Sequence, residues 1–149
     1  MRTIKRDIVG AFIFSRDGLL LMGKSHGGSI YAGRWIVPGG GVDAGETKLQ
    51  ALLREILEET GLDISGSDVQ QIDYVFSGKA EKVLRDNGER VMADMTFYNF
   101  TVRLDQLAAE ISLTTEDDFV DPKWFALSEL PLLPMSPASV KTLKKLGHL

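Results

Sequence analysis

The chain contains no cysteine, which excludes both disulfides and thiolate metal sites. It also lacks any long apolar run, and its longest stretches fall far short of the roughly 20 residues that a membrane-spanning helix needs. No internal repeat, low-complexity tract or Pro/Ser-rich linker interrupts it. An excess of positive charge is missing as well: 17 Lys and Arg stand against 21 Asp and Glu, a net charge of -4. A long nucleic-acid track normally needs a basic face, so this balance argues against one. The opening segment, Met1-Arg2-Thr3-Ile4-Lys5-Arg6-Asp7, turns apolar, but charge soon interrupts it and no small-residue cleavage site follows. Neither a secretory leader nor a membrane partner is therefore expected, and a cytoplasmic location is.

What remains is the make-up of an ordinary soluble globular protein, with 44% hydrophobic and 26% charged residues. A length of 149 residues suits one compact domain over 1–149. Asp7 to Ser15 reads as a strand rich in β-branched and aromatic residues. Arg16-Asp17-Gly18 is a turn signal, and Leu19 to Met22 is a second strand completing a hairpin. Trp35-Ile36-Val37 is a brief strand stopped by Pro38, and Gly39-Gly40-Gly41 predicts a flexible loop. Residues 69–77 and 90–103 alternate as strands do, and Lys123-Trp124-Phe125 predicts a last short one. Ser136-Pro137 supplies the cap and first-turn proline of a C-terminal helix. Strands around one strong central helix predict a mixed α/β domain.

That central helix spans Thr47 to Thr60. Leu49, Leu52, Leu53, Ile56 and Leu57 recur at helical spacing, which predicts a buried face, and Gly61 follows as a stop. A second face is acidic: Glu55, Glu58 and Glu59 stand at i, i+3 and i+4. Like charges at that spacing destabilise a helix by roughly 0.2–0.5 kcal/mol per pair, and the C-terminal dipole adds to the penalty. Such triplets are usually solvated surface, here partly neutralised by Arg54. A hard divalent cation would remove the repulsion outright.

The surrounding spacing decides between these readings. Gly40 is followed after five residues by Glu46, and after seven more by Arg54-Glu55-Ile56-Leu57-Glu58-Glu59-Thr60-Gly61-Leu62. This resembles the Nudix box at every defining position, with seven fixed identities. At usage near ~7% per residue type, a chance match has odds of ~10⁻⁶ over the chain. Gly33-Arg34-Trp35-Ile36-Val37-Pro38-Gly39-Gly40-Gly41 is similar to the family's lead-in. The resemblance implies an α/β/α sandwich around a mixed sheet and hydrolysis of a phosphoanhydride bond with Mg²⁺ or Mn²⁺.

Carried over residue by residue, the resemblance implies Glu55 and Glu59 as principal metal ligands, completed by Glu58 and the carbonyl of Gly39. Arg54 would orient a carboxylate and Glu46 would anchor the loop to the helix. Glu55 is the first choice for activating water. Asp118, in the acidic run before Phe119, is the second, although the family more often has glutamate there. Lys24 and Arg34 could meet phosphates, or be only a hairpin-end lysine and a lead-in surface residue. Trp35 could lie on a nucleobase or pack in the core, and His26 reads as loop surface.

The last third resembles the branch of small nucleoside triphosphatases, which implies a nucleoside triphosphate split to monophosphate and pyrophosphate. ADP-ribose or another nucleotide sugar is the alternative substrate. A Nudix-fold binding module without turnover is the alternative of another class, though such modules usually lose box carboxylates and none is lost here. Related proteins are often homodimers.

Overall fold

The computed structural model describes residues 1–25, 33–84, 86–115 and 119–149. Its centre is β1 (Arg2–Phe14), which alternates so regularly that it serves two cores. Val9, Ala11 and Ile13 point to one face, Phe12 and Phe14 to the other. β1 begins five residues before the stretch whose composition marks it. Its polar first half is extended because it runs parallel to β6 (Arg90–Arg103), from Arg2 opposite Val91 to Phe14 opposite Arg103. β5 (Asp68–Val83) flanks β6 antiparallel and outlasts its expected end for the same reason. Backbone pairing, rather than side-chain burial, holds these distal ends.

On the other side of β1 lies β2 (Leu20–Lys24), which carries β3 (Trp35–Ile36) and β7 (Val120–Phe125) antiparallel. The main order is β3-β2-β1-β6-β5, a mixed sheet. The triple glycine is no flexible loop. It forms β4 (Gly39–Gly41), antiparallel to β1 with Gly40 opposite Val9. Strand propensity could not have shown this, because glycine has little. The pairing depends on the missing side chains: a Cβ on Gly39 would run into the Val9 carbonyl and stand 2.7 Å from the Gly10 Cα.

One face is covered by α1 (Lys48–Thr60), the other by α2 (Pro137–Lys145), giving the α/β/α sandwich. Thr47 caps α1 through a reciprocal box with Gln50, and Gly61 ends it at φ 79°. Such a cap is worth about 1 kcal/mol. The buried stripe is Ala51, Leu52, Ile56, Glu59 and Thr60. Leu49 and Leu57, expected in it, are instead 47% and 53% exposed. Leu57 falls outside the arc that these residues define, whereas Leu49 lies within it but in the first turn of the helix. Its rotation carries Glu59 inward beneath β4. Ser136 caps α2 by accepting from the Ser139 amide. No described helix is long and apolar enough to cross a membrane.

Candidate active site

The helix and the glycine strand meet through two carboxylates. Glu59, 7% exposed, accepts the Gly39 amide hydrogen at 2.8 Å. One turn earlier, Glu55 lies against Gly40, where a Cβ would stand 2.6 Å from both carboxylate oxygens. Glycine is required at Gly40 so that the acid can touch the backbone. Glu58 points outward, its side chain 58% exposed, and reaches Arg54 at 3.5 Å.

Arg54 organises the cluster. Its Nε and Nη2 donate to the two oxygens of Glu46, each at 2.8 Å, in the bidentate geometry that makes Arg–carboxylate pairs strong. Nη2 also donates to the Gly41 carbonyl at 3.0 Å, and Nη1 to Glu55 at 2.8 Å. Asp43 stands 3.4 Å away, and its amide donates to Glu46 at 2.9 Å. One guanidinium thus ties the loop after β4 to the acidic face of α1.

The charges follow from these contacts. Hydrogen bonds from Arg54, then from the Asp43 amide, hold the Glu46 carboxyl down to about 2. The same Glu46 contact raises Arg54. Glu55 is raised, because burial disfavours its ionised form more than the Arg54 hydrogen bond favours it. Among the described residues, no three His, Asp or Glu side chains converge as a ready-made cation cage. Glu55 is turned to Arg54 and Glu59 to the Gly39 amide. The donor set nonetheless fits a hard divalent cation. It consists entirely of oxygen, and a half-buried, charge-penalised Glu55 would gain from a positive ion beside it.

The remaining expected residues spread out. Lys24 and Lys123 flank the Trp35 ring, at 5.2 and 5.8 Å from its centroid. Trp35 is 7% exposed and meets Phe125 edge-on at 4.8 Å, so its indole packs in the core. The Arg34 Nη1 donates to the Met135 carbonyl at 3.2 Å, tying the lead-in to the segment before α2. Asp118 and His26 lie outside the described residues.

Sequence reasoning missed what lies on the α2 side. A cavity of about 180 Å³ opens there, bordered by Gly39 and Gly40 at one end and by Phe76, Phe97, Asn99, Ser136 and Ser139 elsewhere. The rings of Phe76 and Phe97 stack at 4.9 Å. Two residues along β1 from the cavity lining, the Arg6 guanidinium lies against Gly41. The signal in the sequence was Asn99, an amide in the same register of β6 as Val91, Ala93 and Phe97.

Comparison with known proteins agrees with this architecture. The family model for the NUDIX domain matches residues 4–146. An RNA pyrophosphohydrolase of Wolbachia pipientis subsp. Culex pipiens (strain wPip) is 37% identical over 79 residues, covering 53% of this chain and 47% of that protein. The match thus spans about half the length of that relative. The nucleoside triphosphatase NudI of Salmonella newport (strain SL254) is 29% identical over 138 residues, 92% of this chain and 94% of that one. Among solved structures, the M. smegmatis Nudix hydrolase RenU superposes with a TM-score of 0.68 at 20% identity, covering 97% of this chain and 87% of its own. With the box folded as a carboxylate-bearing helix beneath a glycine strand, the chain belongs to the Nudix hydrolase family.

Proposed function

We propose that this hydrolase splits nucleoside triphosphates into nucleoside monophosphate and pyrophosphate in the cytoplasm, as a single domain over 1–149. One observation carries the reading: the cavity and the carboxylate cluster share Gly39 and Gly40. A base seated between Phe97 and α2 would have its phosphates led over the glycine strand onto the acidic face. NudI, similar over almost its whole length, is named a nucleoside triphosphatase.

In this reading Glu55, Glu58, Glu59 and the Gly39 carbonyl would hold Mg²⁺ or Mn²⁺, which would supply shielding of phosphate charge and a more acidic water. Glu55 accepts the proton of the attacking water, a role suited to a carboxylate raised by burial. The water oxygen bonds to phosphorus, the bridging P–O bond breaks, and its electron pair leaves with the departing phosphate group. Arg54 holds Glu55 in place, while Glu46 fixes Arg54. Lys24, Arg34 and Arg6 are the cations on the substrate side, with Trp35 as the packed support beneath Lys24.

The test is a panel of standard and oxidised nucleoside triphosphates, nucleotide sugars including ADP-ribose, dinucleotides and 5′-triphosphate RNA, with products separated. Monophosphate and pyrophosphate from free triphosphates are expected. Faster cleavage of ADP-ribose would overturn the substrate assignment. A second reading, release of pyrophosphate from RNA 5′ ends, is favoured by the name of the Wolbachia relative. Faster turnover of the RNA than of any free triphosphate would establish it. Binding without product from any member would mark a silent module.

A further inference from the structure

Among the described residues, three polar side chains that the hydrolytic chemistry does not use line the cavity, Asn99, Ser136 and Ser139, and Asn99 alone is an amide. Asn99, on β6, is 7% exposed and lines the cavity. Its amide is fixed from two sides. Nδ2 donates to the fully buried Thr142 hydroxyl at 3.4 Å. Oδ1 rests on the bare Cα of Gly10, its β1 neighbour in register, 2.6 Å from where a Cβ would stand. One amide hydrogen and the carbonyl lone pairs remain for a ligand.

The rest of the lining sets what that ligand is. No Asp, Glu, Lys or Arg lines the cavity among the described residues. Phe76 and Phe97 supply an aromatic wall, with their rings 15° from parallel. The Ser136 and Ser139 hydroxyls are 2.9 Å apart and bonded to each other, so neither is a stronger candidate than Asn99. A neutral, flat ring with a polar edge matches such a lining, whereas a charged group would lose its hydration without compensation.

We propose that Asn99 is a specificity-determining residue whose carboxamide reads the edge of a nucleobase lying against the Phe76–Phe97 wall. This rests on the nucleotide reading above. A carboxamide sets one donor beside one acceptor. Uracil, thymine, cytosine and adenine each present the complementary pair on their pairing edge. Aspartate at the same place would offer acceptors only. Guanine presents that pair as well, at O6 and its ring N–H, but it alone also presents two neighbouring donors, its ring N–H and its amino group, which suit an acceptor-only side chain.

The experiment is kcat/KM for UTP, dTTP, CTP, ATP and GTP with the wild type, Asn99→Asp and Asn99→Ala. Asn99→Asp lowers the first four relative to GTP by about tenfold or more, the scale of one bidentate base contact. Asn99→Ala flattens the differences among all five. A uniform loss across the five, or no loss, overturns the proposal, because a merely structural asparagine would not sort bases. If Asn99→Asp does not fold, Thr142→Val releases the amide without touching the ligand. The ratio between best and worst base then shrinks severalfold, and an unchanged ratio overturns the proposal. A wild type that hydrolyses no free nucleoside triphosphate but cleaves a nucleotide sugar, a dinucleotide or the RNA refutes the nucleoside triphosphate reading itself, and the base-reading role with it.

Discussion

Replacing Gly40 by alanine should uncouple activity from folding. The new methyl would stand 2.6 Å from both oxygens of Glu55. Ordinary contact is about 3.5 Å, so the carboxylate must retreat by about 1 Å. Overpacking of this kind costs about 1–3 kcal/mol, which a fold of ordinary stability survives. A catalytic group displaced by about 1 Å can lose about 100-fold in rate. Steady-state kinetics on the best triphosphate should therefore show kcat down about 100-fold with KM little changed, in a protein that still melts cooperatively. Gly39→Ala makes the informative contrast. Its methyl meets the β1 backbone at Val9 and Gly10, which cannot swing aside as a side chain can. That variant should lose the β4 pairing and melt much earlier. Gly18→Ala, in a hairpin turn with nothing within 4 Å, bears only the cost of φ 80° and should keep full activity. A folded Gly40→Ala enzyme with wild-type kcat would refute the placement of Glu55 at the reacting atoms.

Further outcomes follow from the same contacts. Glu59→Gln and Glu55→Gln should each lower turnover at least about 100-fold while the fold persists, the scale of losing one preorganised electrostatic partner; near wild-type rates in the folded double variant would contradict the site. Glu46 has a folded pKa near 2 against an ordinary 4.5, so it binds protons less readily folded than unfolded. Its stabilising contribution is complete above about 4.5 and lost as pH falls through about 2. Thermal melts should show Glu46→Gln less stable than wild type at neutral pH, with the gap closing across that window; a gap independent of pH would remove Arg54 as its cause.

The carboxylate cluster was legible because it depends on intervals along one chain segment. Helical geometry turns Glu55, Glu58 and Glu59 onto one side, and the interval back to Gly40 and Glu46 is short enough to be read directly. Arg54 was visible as a partner, but its hold on the Gly41 carbonyl was not, since that needs the loop to fold back. The pocket was illegible for a different reason. Phe76, Phe97 and Asn99 meet Gly10 only through the pairing of β5, β6 and β1, and no local period encodes a parallel partner so distant in sequence. β4 escaped notice because three glycines have no side-chain pattern; it exists where the absence of side chains lets backbone approach backbone. Leu57 shows the limit of period counting, which finds a stripe without fixing its exact rotation, and Leu49, on the stripe but in the first helical turn, shows that a period does not say how far along the helix the cover extends. Trp35 fell to the core because Phe125 and Met135 lie beside it, contacts made by segments about a hundred residues away.

The proposed phosphoanhydride cleavage depends on a divalent cation held by the acidic face beneath the glycine strand. Its most direct test is turnover of the best triphosphate by protein stripped with chelator, followed by titration of Mg²⁺ or Mn²⁺ into the same sample. Loss of activity on stripping and saturable recovery on readdition are expected, with recovery abolished in Glu59→Gln. Undiminished turnover by the metal-free enzyme would contradict it.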